Sequence, residues 1–200
     1  PVLTAGLTQA SRGIGTFVSM FLVGRLSGKL DNRLIIFVGI SLTGLSYFLM
    51  SGFSLEMDQA PIIISGLFQG LGLGLVFIPL MSIAFTTIQP QLRTEAASFY
   101  TLIRNIGSSL GISAVGALQL YNSRVVASQL SEHATPDNPN VAAQLPLDLT
   151  TAPGQAVMEG LIQRQSAMVA YIDTFHLLFM TCLFILPFLF LLRTKRPTHV

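Results

Sequence analysis

Read with a window of roughly 19 residues, the apolar positions of this chain cluster into blocks instead of alternating with polar ones. Each block is close to the ~20 residues that a helix needs to cross the hydrocarbon core of a bilayer. The blocks fall at 3–26, 34–53, 61–88, 96–120 and 172–192. Between them lie short polar turns at 27–33, 54–60 and 89–95 and one long segment, 121–171. The block 34–53 carries no charge, and the stretch from Phe175 to Leu192 is almost wholly Leu, Phe, Ile and Met apart from His176 and Thr181. This pattern predicts an all-α membrane protein with about five transmembrane helices.

The polar remainder sets an orientation. Lys29, Arg33, Arg93, Arg193, Lys195 and Arg196 gather in the first and third turns and in the tail, with Arg25 at the edge of its block. Basic residues concentrate on the cytoplasmic side, so these ends are expected to face the cytoplasm. The alternate connections hold Glu56, Asp58, Glu132, Asp137, Asp148 and Glu159 against Arg124 and Arg164. The segment 121–171 is therefore expected as an outer loop. It is longer than a structureless connection usually is, so part of it should be ordered. Pro136, Asp137, Asn138 and Pro139 mark a turn. Over 155–169, Val157, Leu161, Ile162 and Met168 stand near helical spacing. Two readings are open there: an amphipathic helix on the membrane surface, or a helix leading straight into the last span.

Composition supports the class and removes others. Half the residues are hydrophobic (51%), a tenth are charged, and the mean hydropathy is +0.65, whereas a soluble domain of this size carries more charge. The net charge is +2, and no Lys/Arg tract is interleaved with aromatic residues, which excludes nucleic-acid binding. The single cysteine, Cys182, lies inside the last apolar block and offers neither a disulfide framework nor a metal site. His133, His176 and His199 are not at metal-ligand spacing, and no HExxH string is present. No catalytic constellation, metal site or cofactor is expected. The chain opens on Pro1 with nothing resembling a signal peptide, and reads as a piece cut from a longer protein.

Within the blocks, small residues recur at helical spacing. Gly66, Gly70 and Gly74 stand four residues apart with Gly72 beside them. Gly107 and Gly111 repeat the spacing with Ser109, Ser113 and Ala117. Such stripes let helix backbones approach closely, either in a static bundle or at an interface that slides during transport. Pro79 and Pro187 fall inside blocks, where each removes a backbone hydrogen bond and kinks a helix.

Ionisable groups within a span are costly and mark a pathway or a buried pair. Arg104, with Asn105 beside it, and Arg12, with Gln9 one turn earlier, are the transport candidates. Snorkelling or a structural salt bridge is the alternative for each. Asp173 and His176 share a helix face near the end of the last block, either to exchange protons or as a plain interfacial pair.

One loop ties these features to a known family. Gly24, Arg25, Leu26, Ser27, Gly28, Lys29, Leu30, Asp31 and Asn32, followed by Arg33, resemble the loop signature G-x-L-a-D-R/K-x-G-R/K of the major facilitator superfamily. Gly24, Leu26 and Lys29 fall on signature positions, whereas Gly28 replaces the acidic residue and Asp31 replaces a glycine. The order of elements also resembles the end of the fourteen-span drug:proton antiporters of the EmrB/QacA type. Residues 5–33 are similar to the tenth span and its loop, 66–88 to the twelfth, and 98–117 to the thirteenth, with a long polar segment before a last apolar span.

The resemblance implies a partial major facilitator helix bundle in the cell inner membrane, exporting hydrophobic drugs or toxic compounds by alternating access, driven by a proton gradient. It also implies as partners the lipid bilayer, a small hydrophobic substrate, the missing N-terminal helices of the same chain and, as in Gram-negative relatives, a periplasmic adaptor protein. The family usually carries its main proton-coupling acids in that N-terminal bundle. Two alternatives stay open: a transporter of the same fold for a sugar, organic acid or siderophore, and a non-transport structural membrane subunit.

Overall fold

In a computed structural model of the chain, the described residues are 2–26, 30–85, 88–133 and 151–191. They form five long helices: α1 (Val2–Leu26), α2 (Asn32–Met50), α3 (Gln59–Phe85), α4 (Arg93–His133) and α5 (Ala152–Ile185). Short 3-10 turns at Pro90–Leu92 and Leu186–Leu191 precede α4 and follow α5. No β-strand occurs among the described residues. This is the all-α architecture the apolar blocks predict.

The helix ends follow local chemistry. Asp31 caps α2 from an extended conformation (φ −64°, ψ 127°), its Oδ1 accepting from the Arg33 backbone N–H at 3.3 Å, as an N-cap carboxylate does. Thr151 does the same for α5, where the Gly154 N–H donates to Thr151 Oγ1 at 3.3 Å. Pro187 disfavours helical geometry in the residue before it. It therefore ends α5 two residues upstream instead of kinking the middle of a span. Pro79 does lie inside α3.

Three helices, Asn32–Met50, Gln59–Phe85 and the continuous stretch Ala152–Leu189, are long and apolar enough to cross a membrane by length and composition. The helices α1 (25 residues) and α4 (41 residues) are long enough too, but arginines dilute their hydropathy, Arg12 and Arg25 in α1 and Arg93, Arg104 and Arg124 in α4. Of the segment 121–171, residues 121–133 complete α4 and residues 152–171 belong to α5. Of the two readings for 155–169, the structure adopts the helix that runs directly into the last apolar block. The turn at Pro136 to Pro139 lies outside the described residues.

The chain divides into two units, Pro1–Gly107 with Phe175–Val200, and Ser108–Thr174. In the first, α3 packs against both α1 and α2. A small apolar cluster of Val23, Ile35 and Leu75 gathers there, with Leu26, Leu42 and Ile78 against it. In the second, Gly154, Met158, Ser166, Ala170 and Thr174 are the buried positions of α5, mostly four residues apart, whereas Val157 and Leu161 are exposed. Apart from Met158, the side chains turned inward are small ones.

Beside the Val23, Ile35 and Leu75 cluster, a similar preference for small buried side chains is seen elsewhere among the described residues. Among the described residues the buried polar ones are all hydroxyls: Ser11, Ser19, Thr43, Ser46, Ser65, Ser166 and Thr174. Large apolar side chains lie outside, Phe17 at 75% and Phe184 at 68% exposure among them. In water such a surface would aggregate. In hydrocarbon it is solvated, and small residues become the better helix contacts. Each of these buried hydroxyls donates to a backbone carbonyl, six of them on their own helix, so none of the seven is left bare in an apolar medium.

Candidate functional site

The α1–α3 seam is built from backbone. Gly66, Gly70 and Gly74 are buried on α3 and meet Ser11, Arg12, Thr16 and Ser19 of α1. A Cβ on Gly70 would collide with the Arg12 carbonyl oxygen and lie 2.9 Å from the Thr16 nitrogen. On α1, Gly15 reciprocates, with a Cβ there reaching 3.0 Å from the Leu71 nitrogen and 3.2 Å from the Gly70 Cα. Atoms of two backbones cannot move aside as a side-chain tip can, so the glycines are required for this spacing.

A second seam uses the opposite side of α3. A Cβ on Gly39 of α2 would stand 2.9 Å from the Gly72 carbonyl oxygen, and one on Gly72 would strike Thr43. The Ser46 hydroxyl crosses between the helices and donates to the Ser65 carbonyl at 2.7 Å. Both residues are fully buried. Gly72, which only widens the stripe in sequence, is thus the centre of a separate contact.

The outward face of α1 holds Arg12. With Gln9, Gly13 and Thr16 it forms the polar part of a shallow groove that continues over Phe17 and Met20. Its backbone carbonyl accepts from Thr16 Oγ1 at 3.0 Å, and the residue is exposed. Arg104 instead lays its guanidinium over the Phe77 ring of α3, 4.6 Å from the centroid, a cation–π contact that helps a charge tolerate an apolar setting. Asn105 is next to it on α4 and is also exposed. The two arginines therefore have different surroundings, one facing an open groove and one seated on a ring.

The remaining predicted positions are spread out. Around Gly107 and Gly111, among the described residues, nothing would come within 4 Å of an added Cβ. Asp173 and His176 both lie exposed on α5, three residues apart. In the loop signature, Gly24 faces open space, Leu26 packs on the apolar cluster, and Asp31 serves as the α2 cap. Arg33 has its Nε buried without a hydrogen-bond partner among the described residues. Lys29 lies outside the described residues.

Sequence reasoning missed a ladder of rings. Tyr47 stacks on Phe175 at 6.5 Å, Phe53 meets the same ring edge-on at 6.4 Å, and Phe48 meets Phe179 at 5.4 Å, joining α2 to the last apolar block. Their signal was available as aromatic residues at helical spacing, but that spacing does not say which helix a ring will find. Residues 107–111 also read Gly-Ser-Ser-Leu-Gly, the G-x-S-x-G spacing of a nucleophile elbow. That device needs a sharp strand-to-helix turn, and here all five residues lie inside α4. Among the described residues no group of three or more His, Cys, Asp or Glu could hold a metal.

Long apolar helices joined by glycine seams, with hydroxyls inside and large apolar side chains outside, define a polytopic α-helical membrane protein. Residues 1–126 match the family model of the Major Facilitator Superfamily, and the chain belongs to that superfamily. It is 29% identical over 140 residues to the multidrug export protein EmrB of Escherichia coli (strain K12), covering 70% of this chain and 27% of that protein. It is 26% identical over 132 residues to the fatty acid resistance protein FarB of Neisseria gonorrhoeae, covering 66% and 26%. It is also 26% identical over 126 residues to the colistin resistance protein EmrB of Acinetobacter baumannii, covering 63% and 25%. The chain spans about a quarter of the length of these relatives.

Proposed function

We propose that this chain forms part of a transporter that exports hydrophobic toxic compounds across the cell inner membrane by alternating access, driven by the proton gradient. The observation that carries this reading is the family match over 1–126 together with relatives named for export or resistance. The physical design is compatible with it. Glycine seams let helices move against one another with few interlocked side chains, and the proline in α3 weakens one turn of its hydrogen-bond ladder. In this reading all five helices span, and Arg25, Arg33 and Arg93 mark the cytoplasmic ends of α1, α2 and α4. Arg12 and Arg104 contribute charge to the translocation path, Asp173 and His176 are a titratable pair available to protons, and a periplasmic adaptor continues the route outward.

The test is expression of the complete protein in an export-deficient host challenged with a panel of hydrophobic toxic compounds, with and without an uncoupler. Raised resistance that the uncoupler removes is the expected result. A well-expressed protein that protects against nothing on the panel overturns export. In the same host, Arg104→Ala should abolish resistance while membrane abundance stays unchanged. Undiminished resistance at normal abundance would remove Arg104 from the path.

A further inference from the structure

The boundary between α3 and α4 differs from the two glycine seams. Where α1 and α2 touch α3 backbone to backbone, α4 meets α3 through long side chains, the Phe85 and Tyr100 rings at 5.9 Å and Arg104 over Phe77. A groove is left between the C-terminal end of α3 and the N-terminal end of α4. Its walls are Met81, Ser82 and Phe85 of α3 and Arg93 and Ala97 of α4. On α4, Arg93, Ala97, Tyr100 and Arg104 follow helical spacing and share one face, so Arg93 stands at the mouth of a strip that passes over Ala97 and Tyr100 before reaching Arg104 on its Phe77 ring.

Arg93 makes no ion pair among the described residues. The acid nearest in sequence, Glu95, is two positions on, and residues so spaced do not face each other on a helix. Among the residues that line it, the groove thus presents a single positive charge beside walls that are mostly apolar, Ser82 being the one other polar residue, at the polar edge of a long apolar helix. A free inorganic anion would use the arginine and leave the channel walls unfilled. A neutral lipid tail would fill the walls and leave the charge unanswered. A phospholipid with a net negative headgroup satisfies both, its phosphate at Arg93 and its acyl chain along Met81, Phe85 and Ala97.

We propose that the α3–α4 groove is a binding site for one anionic phospholipid, with Arg93 as its headgroup ligand. The test uses the complete protein, purified in detergent and offered phosphatidylglycerol or phosphatidylcholine, with bound lipid counted by native mass spectrometry. Phosphatidylglycerol should be retained in preference to phosphatidylcholine, and Arg93→Gln should reduce its binding about fivefold, the effect of one membrane-facing cation. Arg93→Lys should keep it. Ala97→Phe, which fills the channel and leaves the charge, should lose it, whereas Arg25→Gln should not. Equal retention of the two lipids, full binding by Arg93→Gln, or an equal loss in Arg25→Gln would overturn the site in favour of a diffuse basic rim. Displacement by inorganic phosphate would overturn the acyl channel. These readouts are of lipid, so they stand whether or not the protein proves to export toxic compounds.

Discussion

Helices α3 and α4 carry nearly the same sequence device with different results. Each has glycines four residues apart in the middle of a long helix, Gly66, Gly70 and Gly74 in one and Gly107 and Gly111 in the other. In α3 every one of the three is buried against α1. In α4 both are exposed, with nothing within 4 Å of an added Cβ among the described residues. Small residues create permission for a neighbour to come close, and a neighbour has to be present for that permission to become a contact. The α3 stripe is used by α1, two helices earlier in the chain, while α2 takes the opposite side of α3 through Gly72. Among the described residues no such neighbour covers the α4 stripe.

Substitutions separate a used stripe from an unused one. The largest effect is expected for Gly70→Val. Its Cβ would meet the Arg12 carbonyl and the Thr16 nitrogen, neither of which can yield without parting the helices. A loss of about 3 kcal/mol, at the upper end of overpacking costs, should appear as a lowered thermal midpoint and reduced membrane abundance of the complete protein. An unchanged midpoint would mean that the seam is not as close as described.

Ser46→Ala should cost about 1 kcal/mol, since it deletes the hydroxyl that binds the Ser65 carbonyl between α2 and α3, a bond of ordinary strength for membrane helices. Phe77→Leu tests the other kind of contact. It removes the ring beneath Arg104 and keeps the apolar volume, so a loss of roughly 0.5–1 kcal/mol is expected, together with weaker export if Arg104 needs that ring to hold its position.

The smallest effect, and the one that sharpens the comparison most, is Gly107→Ala. With open space around it, alanine should be neutral or stabilise the helix by up to about 1 kcal/mol through its higher helix propensity. A marked destabilisation in the complete protein would reveal a helix from the rest of the transporter seated on this stripe. The measurement is the same thermal midpoint, which places both stripes on one scale.

Much of this arrangement was legible along the chain. The apolar blocks became long helices, and the loop after α1 pointed to the superfamily that the family match establishes. Asp31 stands where the loop signature has a glycine. It instead takes the capping role that its position just before an apolar helix requires. Other features had no one-dimensional signal. Val157 and Leu161 stood at helical spacing, open to a surface amphipathic helix or to a lead-in to the last span, and nothing in that spacing indicated that the buried positions of α5 are Gly154, Met158, Ser166, Ala170 and Thr174. In water the large apolar residues would turn inward, but a membrane helix has no reason to hide them. The ring ladder of Tyr47, Phe48, Phe53, Phe175 and Phe179 joins residues more than a hundred positions apart, a distance that periodicity cannot span.

Sequence by itself therefore determined the medium, the presence of the helices and a few of their ends, such as the capped start of α2 and the proline-limited end of α5, whereas α4 and α5 extend well into the segment 121–171. Those properties depend on apolar length, on capping residues and on prolines, all of which act within a few residues of where they stand. Tertiary structure decided which glycines are contacts, which arginine sits on a ring and which faces an open groove. Each of those depends on what another helix brings to the same place, and the identical four-residue glycine spacing in α3 and α4 carries no information about that neighbour.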